Sequence, residues 1–234
     1  MSKLVIANFK MNGSKDFIES WIKVFFAEQE SVNDVVVALP SPYLITFNNR
    51  GLTLSGQNVS NEESGAFTSQ LSAQMLKDCG AKYCLIGHSE ARQFLAETNE
   101  LIKQKFDQLK QESIQPILCI GEPLQIRKAA KTIDYLTEQL DLIDSDQENL
   151  IIAYEPIWSI GTGKIPKSED LKKISRFIKK ILKSIFKTKK PPKILYGGSV
   201  DGSNIASFKS LKAVSYTHLR AHETGRNLVC RLLL

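Results

Sequence analysis

A (β/α)8 barrel is the fold class this chain predicts, and three observations carry the prediction. Short β-branched runs alternate with segments whose apolar residues recur every three or four positions, so strands and helices alternate and the strands must pair in parallel. Seven such units are legible by residue 210 and an eighth strand should begin at 211–214, which in a chain of 234 residues is the size of such a barrel. The turn after the first strand, ANFKMNG, lacks GxGxxG, which argues against an open, doubly wound sheet holding a dinucleotide.

The first strand is read at 4–7, and helix 17–26 comes after it with Ser14 as its N-cap. Strands at 34–39 and 52–56 come next, and the strand at 82–86 runs into a helix start at IGHSE. Helix 101–109 precedes the strand at 115–120, and one helix, 126–140, precedes the strand at 149–154. Helix 171–185, capped by Ser168, leads to the strand at 193–196, with Asp201 placed to cap the helix after it.

At 42% hydrophobic the chain can bury one sizeable core, so a single main domain is expected. The net charge of +6 is carried by lysines concentrated on helix faces such as 171–190. That pattern reads as a solvated face rather than a nucleic-acid site, while the overall positive field suits a small phosphate dianion. Cys79, Cys84, Cys119 and Cys230 form no CxxC pair and no dense framework, which fits a reducing, cytoplasmic setting. No basic leader with an apolar run and no stretch of 18 apolar residues is present, so no membrane association is expected.

In a barrel the polar residues just beyond each strand share one rim. Here they are Asn8 and Lys10, Gln57 and Asn58, His88 and Glu90, Cys119 and Glu122, Glu155, and then Gly197, Gly198 and Ser199. Abstracting a proton beside a carbonyl needs a carboxylate base, a group that polarises the carbonyl and a positive charge for the enolate; Glu155, His88 and Lys10 supply the three. His88 has an alternative reading as a core histidine, but at a helix N-terminus the dipole disfavours its cation and leaves a neutral donor. For Glu155 the alternative is a carboxylate in a salt bridge or at a helix start. Residues 156–164, immediately after it, read as a closing lid: Pro156 and Trp158 make a stiff entry, and Gly161 and Gly163 allow the backbone to change. YGGSV at 196–200 permits close backbone approach to an anion at the next helix start.

In order and strand position, NFKMNG, GQNVS, IGHSE, LCIGE, AYEPIWSIGTGK and YGGSV resemble the triosephosphate isomerase family, from the start of the chain to about Val214. The resemblance implies an isomerase that interconverts dihydroxyacetone phosphate and D-glyceraldehyde 3-phosphate, in glycolysis and gluconeogenesis, through an enediolate and without metal or cofactor. It gives Glu155 the proton transfer, His88 the polarisation of the carbonyl, Lys10 the support of the anionic intermediate and Asn8 an oxyanion contact. Gly161, Gly197, Gly198 and Ser199 would bind phosphate, with Glu90 and Cys119 supporting the site. A homodimer through the loop from Gly65 to Gln70 is implied as well. Gln70 stands where the family typically has glutamate and Ala91 where it typically has arginine; both halves of an intersubunit pair are absent together, so no charge is stranded.

Compliance stops at Val214. The family pattern calls for an eighth strand, a second glycine-containing loop for phosphate and a closing helix, whereas 215–234 reads SYTHLRAHETGRNLVCRLLL. The expected organisation is therefore a barrel domain at 1–214 with an incomplete or disrupted eighth unit, and an aberrant tail at 215–234. A missing strand would bare the edges of strands one and seven, and each lost hydrogen bond to a charged phosphate is worth roughly 1.5–3 kcal/mol. The sequence supports two functional readings: an active isomerase, and an impaired or dead remnant of one.

Overall fold

The structure is a computed structural model that describes residues 4–27, 35–144, 150–160, 162, 166, 168–186, 192–200 and 215–220. Eight parallel strands close a barrel in sequence order. The first half contains β1 (Val5–Asn8), α1 (Lys15–Ala27), β2 (Val35–Ala38), α2 (Ser41–Phe47), β3 (Thr53–Gly56), α3 (Ala73–Asp78), β4 (Ala81–Ile86), α4 (Ser89–Phe94) and α5 (Asn99–Gln111). The second contains β5 (Gln115–Ile120), α6 (Leu124–Lys128), α7 (Thr132–Leu140), β6 (Ile151–Tyr154), a 3-10 turn (Ile157–Ser159), α8 (Ser168–Phe186), β7 (Lys193–Val200) and β8 (Ser215–Arg220).

The two-residue period of a strand divides the buried residues into two cores. Leu4, Ile6, Val36, Ala38, Leu85, Ile117, Cys119, Ile151, Ala153 and Leu195 fill the barrel interior. The alternate positions, Val5, Val37, Cys84, Ile86, Leu118, Ile152 and Ile194 among them, pack outward against the helices. In α1, Ile18, Trp21, Ile22 and Phe25 are buried at helical spacing, and Trp21 meets Phe9 edge-on at 5.3 Å and stacks on Phe25 at 5.1 Å. The α1 cap is as expected, with Ser14 Oγ accepting from the Phe17 amide at 3.2 Å. Alternation also aims the rim: Asn8 continues the interior row Leu4–Ile6, and Glu155 continues the row Ile151–Ala153.

Several elements differ from expectation. The single helix at 126–140 is two helices, α6 and α7, because Ala130 takes a left-handed backbone (φ 56°) between them. Ser168 is the first residue of α8 and not the residue before it, and Asp201 lies outside the described residues. Helices α2 and α3, seven and six residues long, are too short to show a period in the sequence.

The eighth strand is the main correction. It occupies Ser215–Arg220, inside the stretch assigned to the tail, and pairs with both neighbours, Val5 opposite Tyr216 and Leu195 opposite Ser215. The edges of β1 and β7 are thus covered. Backbone groups make the ladder, and Tyr216 and Thr217 are strand-favouring types, so a polar composition did not exclude a strand. Residues 221–234, where the closing helix would fall, lie outside the described residues. The register of β8 shifts on both flanks, between Ile6 and Ala7 on β1 and between Gly197 and Val200 on β7.

Candidate active site

The strand ends bring Asn8, Lys10, His88 and Glu155 to one rim, and hydrogen bonds hold each of them there. His88 is the N-cap of α4, and its Nδ1 accepts from the Glu90 amide at 3.2 Å. A nitrogen that accepts carries no proton, so the ring is a neutral imidazole whose proton is on Nε2. That Nε2 is 3.5 Å from Glu155 Oε2. Both residues are buried, His88 at 7% and Glu155 at 2% exposure, so a proton donor and a carboxylate face each other where water is scarce.

Lys10 has a left-handed backbone, φ 52°, a conformation costing a non-glycine residue roughly 1–2 kcal/mol. Two bonds hold it there. Its amide donates to Asn8 Oδ1 at 2.9 Å, and its carbonyl accepts from Gln57 Nε2 at 2.9 Å. Gln57 also donates to the Ala38 carbonyl at 3.0 Å, joining the ends of β1, β2 and β3. The Lys10 ammonium pairs with Glu90 Oε1 at 2.5 Å. The positive charge is therefore aimed from two sides.

Glu155 is placed by backbone first. Its amide donates to the Ile120 carbonyl at 2.7 Å, and a Cβ on Gly121 would come within 1.8 Å of the Glu155 carbonyl oxygen. Only glycine allows that approach. The Gly121 amide donates to Gln139 Oε1 at 2.8 Å from α7. Around the carboxylate stand uncharged donors: burial, and then the Glu155 charge beside it, push the Cys119 thiol well above its ordinary value. Burial likewise raises the Tyr196 phenol to about 12, against a hydrogen bond from Ser159 that lowers it.

The Pro156 side of the expected lid is tied down by Glu122. Its fully buried carboxylate accepts from Tyr154 Oη at 3.0 Å and from Trp158 Nε1 at 2.9 Å, while its carbonyl accepts from the Ile157 amide at 3.1 Å. Burial and the Glu122 charge raise the Tyr154 phenol well above its ordinary value. Arg127 lies 4.5 Å above the Trp158 ring and pairs with Asp170 of α8 at 2.7 Å. Of the lid itself, Gly161, Gly163 and Lys164 lie outside the described residues.

Gly197, Gly198 and Ser199 are in β7 instead of a loop beyond it. The register shift against β8 falls between Gly197 and Val200, so Gly198 and Ser199 have no register partner on that strand. Glu122 belongs to the lid anchor rather than to the rim's reacting face. Gly121 and Gln139 were not anticipated. A signal for Gln139 existed, a polar residue three after Leu136 on the buried face of α7. Among the described residues no group of three or more His, Cys, Asp and Glu could hold a metal ion.

The comparisons agree with one another. The profile of the family "Triosephosphate isomerase" matches residues 3–215. Triosephosphate isomerase of Mesomycoplasma hyorhinis is 40% identical over 217 residues, 88% of this chain and 87% of that one. That of Shewanella sp. (strain ANA-3) is 37% identical over 221 residues, covering 87% and 85%. The crystal structure of triosephosphate isomerase from Bartonella henselae superposes with a TM-score of 0.87 at 27% identity, covering 99% of this chain and 98% of that one. With the barrel, the rim and the sequence all in agreement, this chain belongs to the triosephosphate isomerase family.

Proposed function

We propose that this isomerase interconverts dihydroxyacetone phosphate and D-glyceraldehyde 3-phosphate, with Glu155 moving the proton between adjacent carbons through an enediolate. The observation that carries the reading is the pair formed by a neutral His88, its proton on Nε2, and the buried Glu155 carboxylate 3.5 Å away. A substrate seated against both groups has its carbonyl polarised by Nε2–H while the carboxylate takes the adjacent carbon-bound proton. Lys10 and the side-chain amide of Asn8 stabilise the oxyanion, Glu90 holds the ammonium, and Cys119 packs beside the base. Backbone amides of Gly161, Gly197, Gly198 and Ser199 take the phosphate, and no metal or organic cofactor enters the reaction.

A homodimer through residues 65–70 belongs to the same proposal. That loop displays Phe67 at 42% exposure, Met11 beside Lys10 is 95% exposed, and a cleft of about 500 Å³ opens beside the loop at Asn58, Ser60, Gln70 and Leu95. Gln70 accepts from Ser60 Oγ within its own chain at 2.5 Å, so the position is satisfied without a partner's cation. The thiols of Cys79, Cys84 and Cys119 are free, in keeping with a reducing, cytoplasmic setting; no helix among the described residues is long and apolar enough to cross a membrane.

A second reading, an impaired isomerase, is favoured by the irregular ladders on both sides of β8. A coupled assay with each triose phosphate decides. Turnover that vanishes in Glu155→Gln supports the first reading. A folded, closed barrel without turnover supports the second.

A further inference from the structure

Arg92 of α4 lines a small cavity together with Glu155. Its Nε donates to the Gly87 carbonyl at 2.9 Å and its Nη1 to Asn99 Oδ1 at 2.8 Å. The third guanidinium nitrogen, Nη2, is buried and has no hydrogen-bond acceptor. It lies against Gly87, where an added Cβ would meet Nη2 at 3.0 Å and the Cys119 carbonyl at 3.3 Å. An unpaired buried donor costs about 1–3 kcal/mol, more when charged, and a guanidinium cannot escape by losing its proton.

Arg92, Ser89, Cys119, Gln139 and Glu155 line one cavity of about 10 Å³, close to the smallest space that admits a water, about 10–15 Å³. Among its lining residues, Arg92 carries the unpaired donor Nη2, while Glu155, Ser89 and Gln139 are residues whose side chains can accept from a water. We propose that this cavity holds one buried water that accepts from Arg92 Nη2 and donates toward the Glu155 carboxylate, making Arg92 a positioning residue for the base. The inference rests on the isomerase reading of Glu155. In its apolar surroundings, which pull the guanidinium below its ordinary range, the Arg92 charge is poorly screened and holds Glu155 ionised.

The other titratable groups facing this pair are His88 from the α4 cap, Cys119 from β5 and Tyr196 from β7 around Glu155, with Tyr135 of α7 and Glu97 ahead of α5 near Arg92. Among these groups around Glu155, His88 is neutral and burial raises both acids, so Arg92 is the cation that shares the cavity with the carboxylate's residue.

The test is the titration of the Glu155 side-chain carboxyl by 13C NMR, assigned by its loss in Glu155→Gln, beside the pH profile of kcat/KM. In Arg92→Met the carboxyl should titrate about half a unit to one unit higher, and the acid limb should move with it; Arg92→Lys, which keeps the charge, should recover most of the shift. A variant that unfolds at lower temperature with an unmoved Glu155 titration overturns the proposal and leaves Arg92 structural. Should no Arg92 variant fold, a crystal structure fine enough to place waters decides, and a cavity empty of density overturns it. Wild-type protein without isomerase turnover would refute the reading of the reaction, while the NMR titration would still judge the water link.

Discussion

At the residue scale the proposed roles can be tested one side chain at a time. Glu155→Asp keeps the charge but draws it back by one methylene, and an offset of that size costs about 100-fold in kcat with KM little changed; steady-state kinetics in both directions check this. Gly121→Ala should abolish turnover by displacing the Glu155 backbone, since its Cβ would stand 1.8 Å from the Glu155 oxygen. Tyr196 gives a pH dependence whose sign can be worked out. Its phenol titrates near 10 when unfolded and about 12 in the fold, so the fold binds the proton more tightly. The resulting stability is complete below pH 10 and is lost as pH rises through 12. Denaturant midpoints should fall across that window in wild type and fall less in Tyr196→Phe. Glu155, His88 and Lys10 were legible because each stands just past a strand and carries a chemistry of its own. Gly121, Gln139 and Arg92 were not, because what they do depends on which backbone or cavity lies across from them.

At the scale of elements, two buried polar clusters join neighbouring units. Glu97 and Lys105 are both 5% exposed and paired, with Asn58 accepting from the ammonium at 2.9 Å and donating to the carboxylate at 2.7 Å. This ties α5 to the end of β3. Lys105→Met leaves a buried carboxylate unpaired and should cost about 3–5 kcal/mol by chemical denaturation, whereas removing both charges should cost less. The Glu122 cluster fastens the residues after β6 to those after β5. Trp158→Phe removes one donor from a carboxylate closed to solvent and should lower stability by about 1–3 kcal/mol. Long elements such as α1 and α8 could be read from periodicity. The break at Ala130 could not, because a left-handed alanine leaves no compositional mark; its amide closes a turn on the Arg127 carbonyl at the end of α6.

Over the whole molecule, closure is the property that the sequence most obscured. Seven strands announce themselves by apolar runs, but the last, SYTHLR, is recognised only because β1 and β7 leave a gap of one strand's width for it. A chain ending at Val214 would bare both edges, and it should lose cooperative unfolding and aggregate; circular dichroism melts and light scattering would detect either. If the proposed dimer forms, sedimentation velocity should show its dissociation responding less to salt than in a Gln70→Glu, Ala91→Arg variant, since Gln70 and Ala91 leave the interface one ionic contact fewer to screen.

The left-handed Lys10 has a consequence for how such a chain could change over time. Glycine would relieve its backbone of roughly 1–2 kcal/mol, so a library screened only for heat resistance would drift toward Lys10→Gly and discard the ammonium paired with Glu90, although Asn8 and Gln57 would still hold the backbone in place. Stability and turnover are opposed at that one codon. Lysine persists there only where turnover is itself selected.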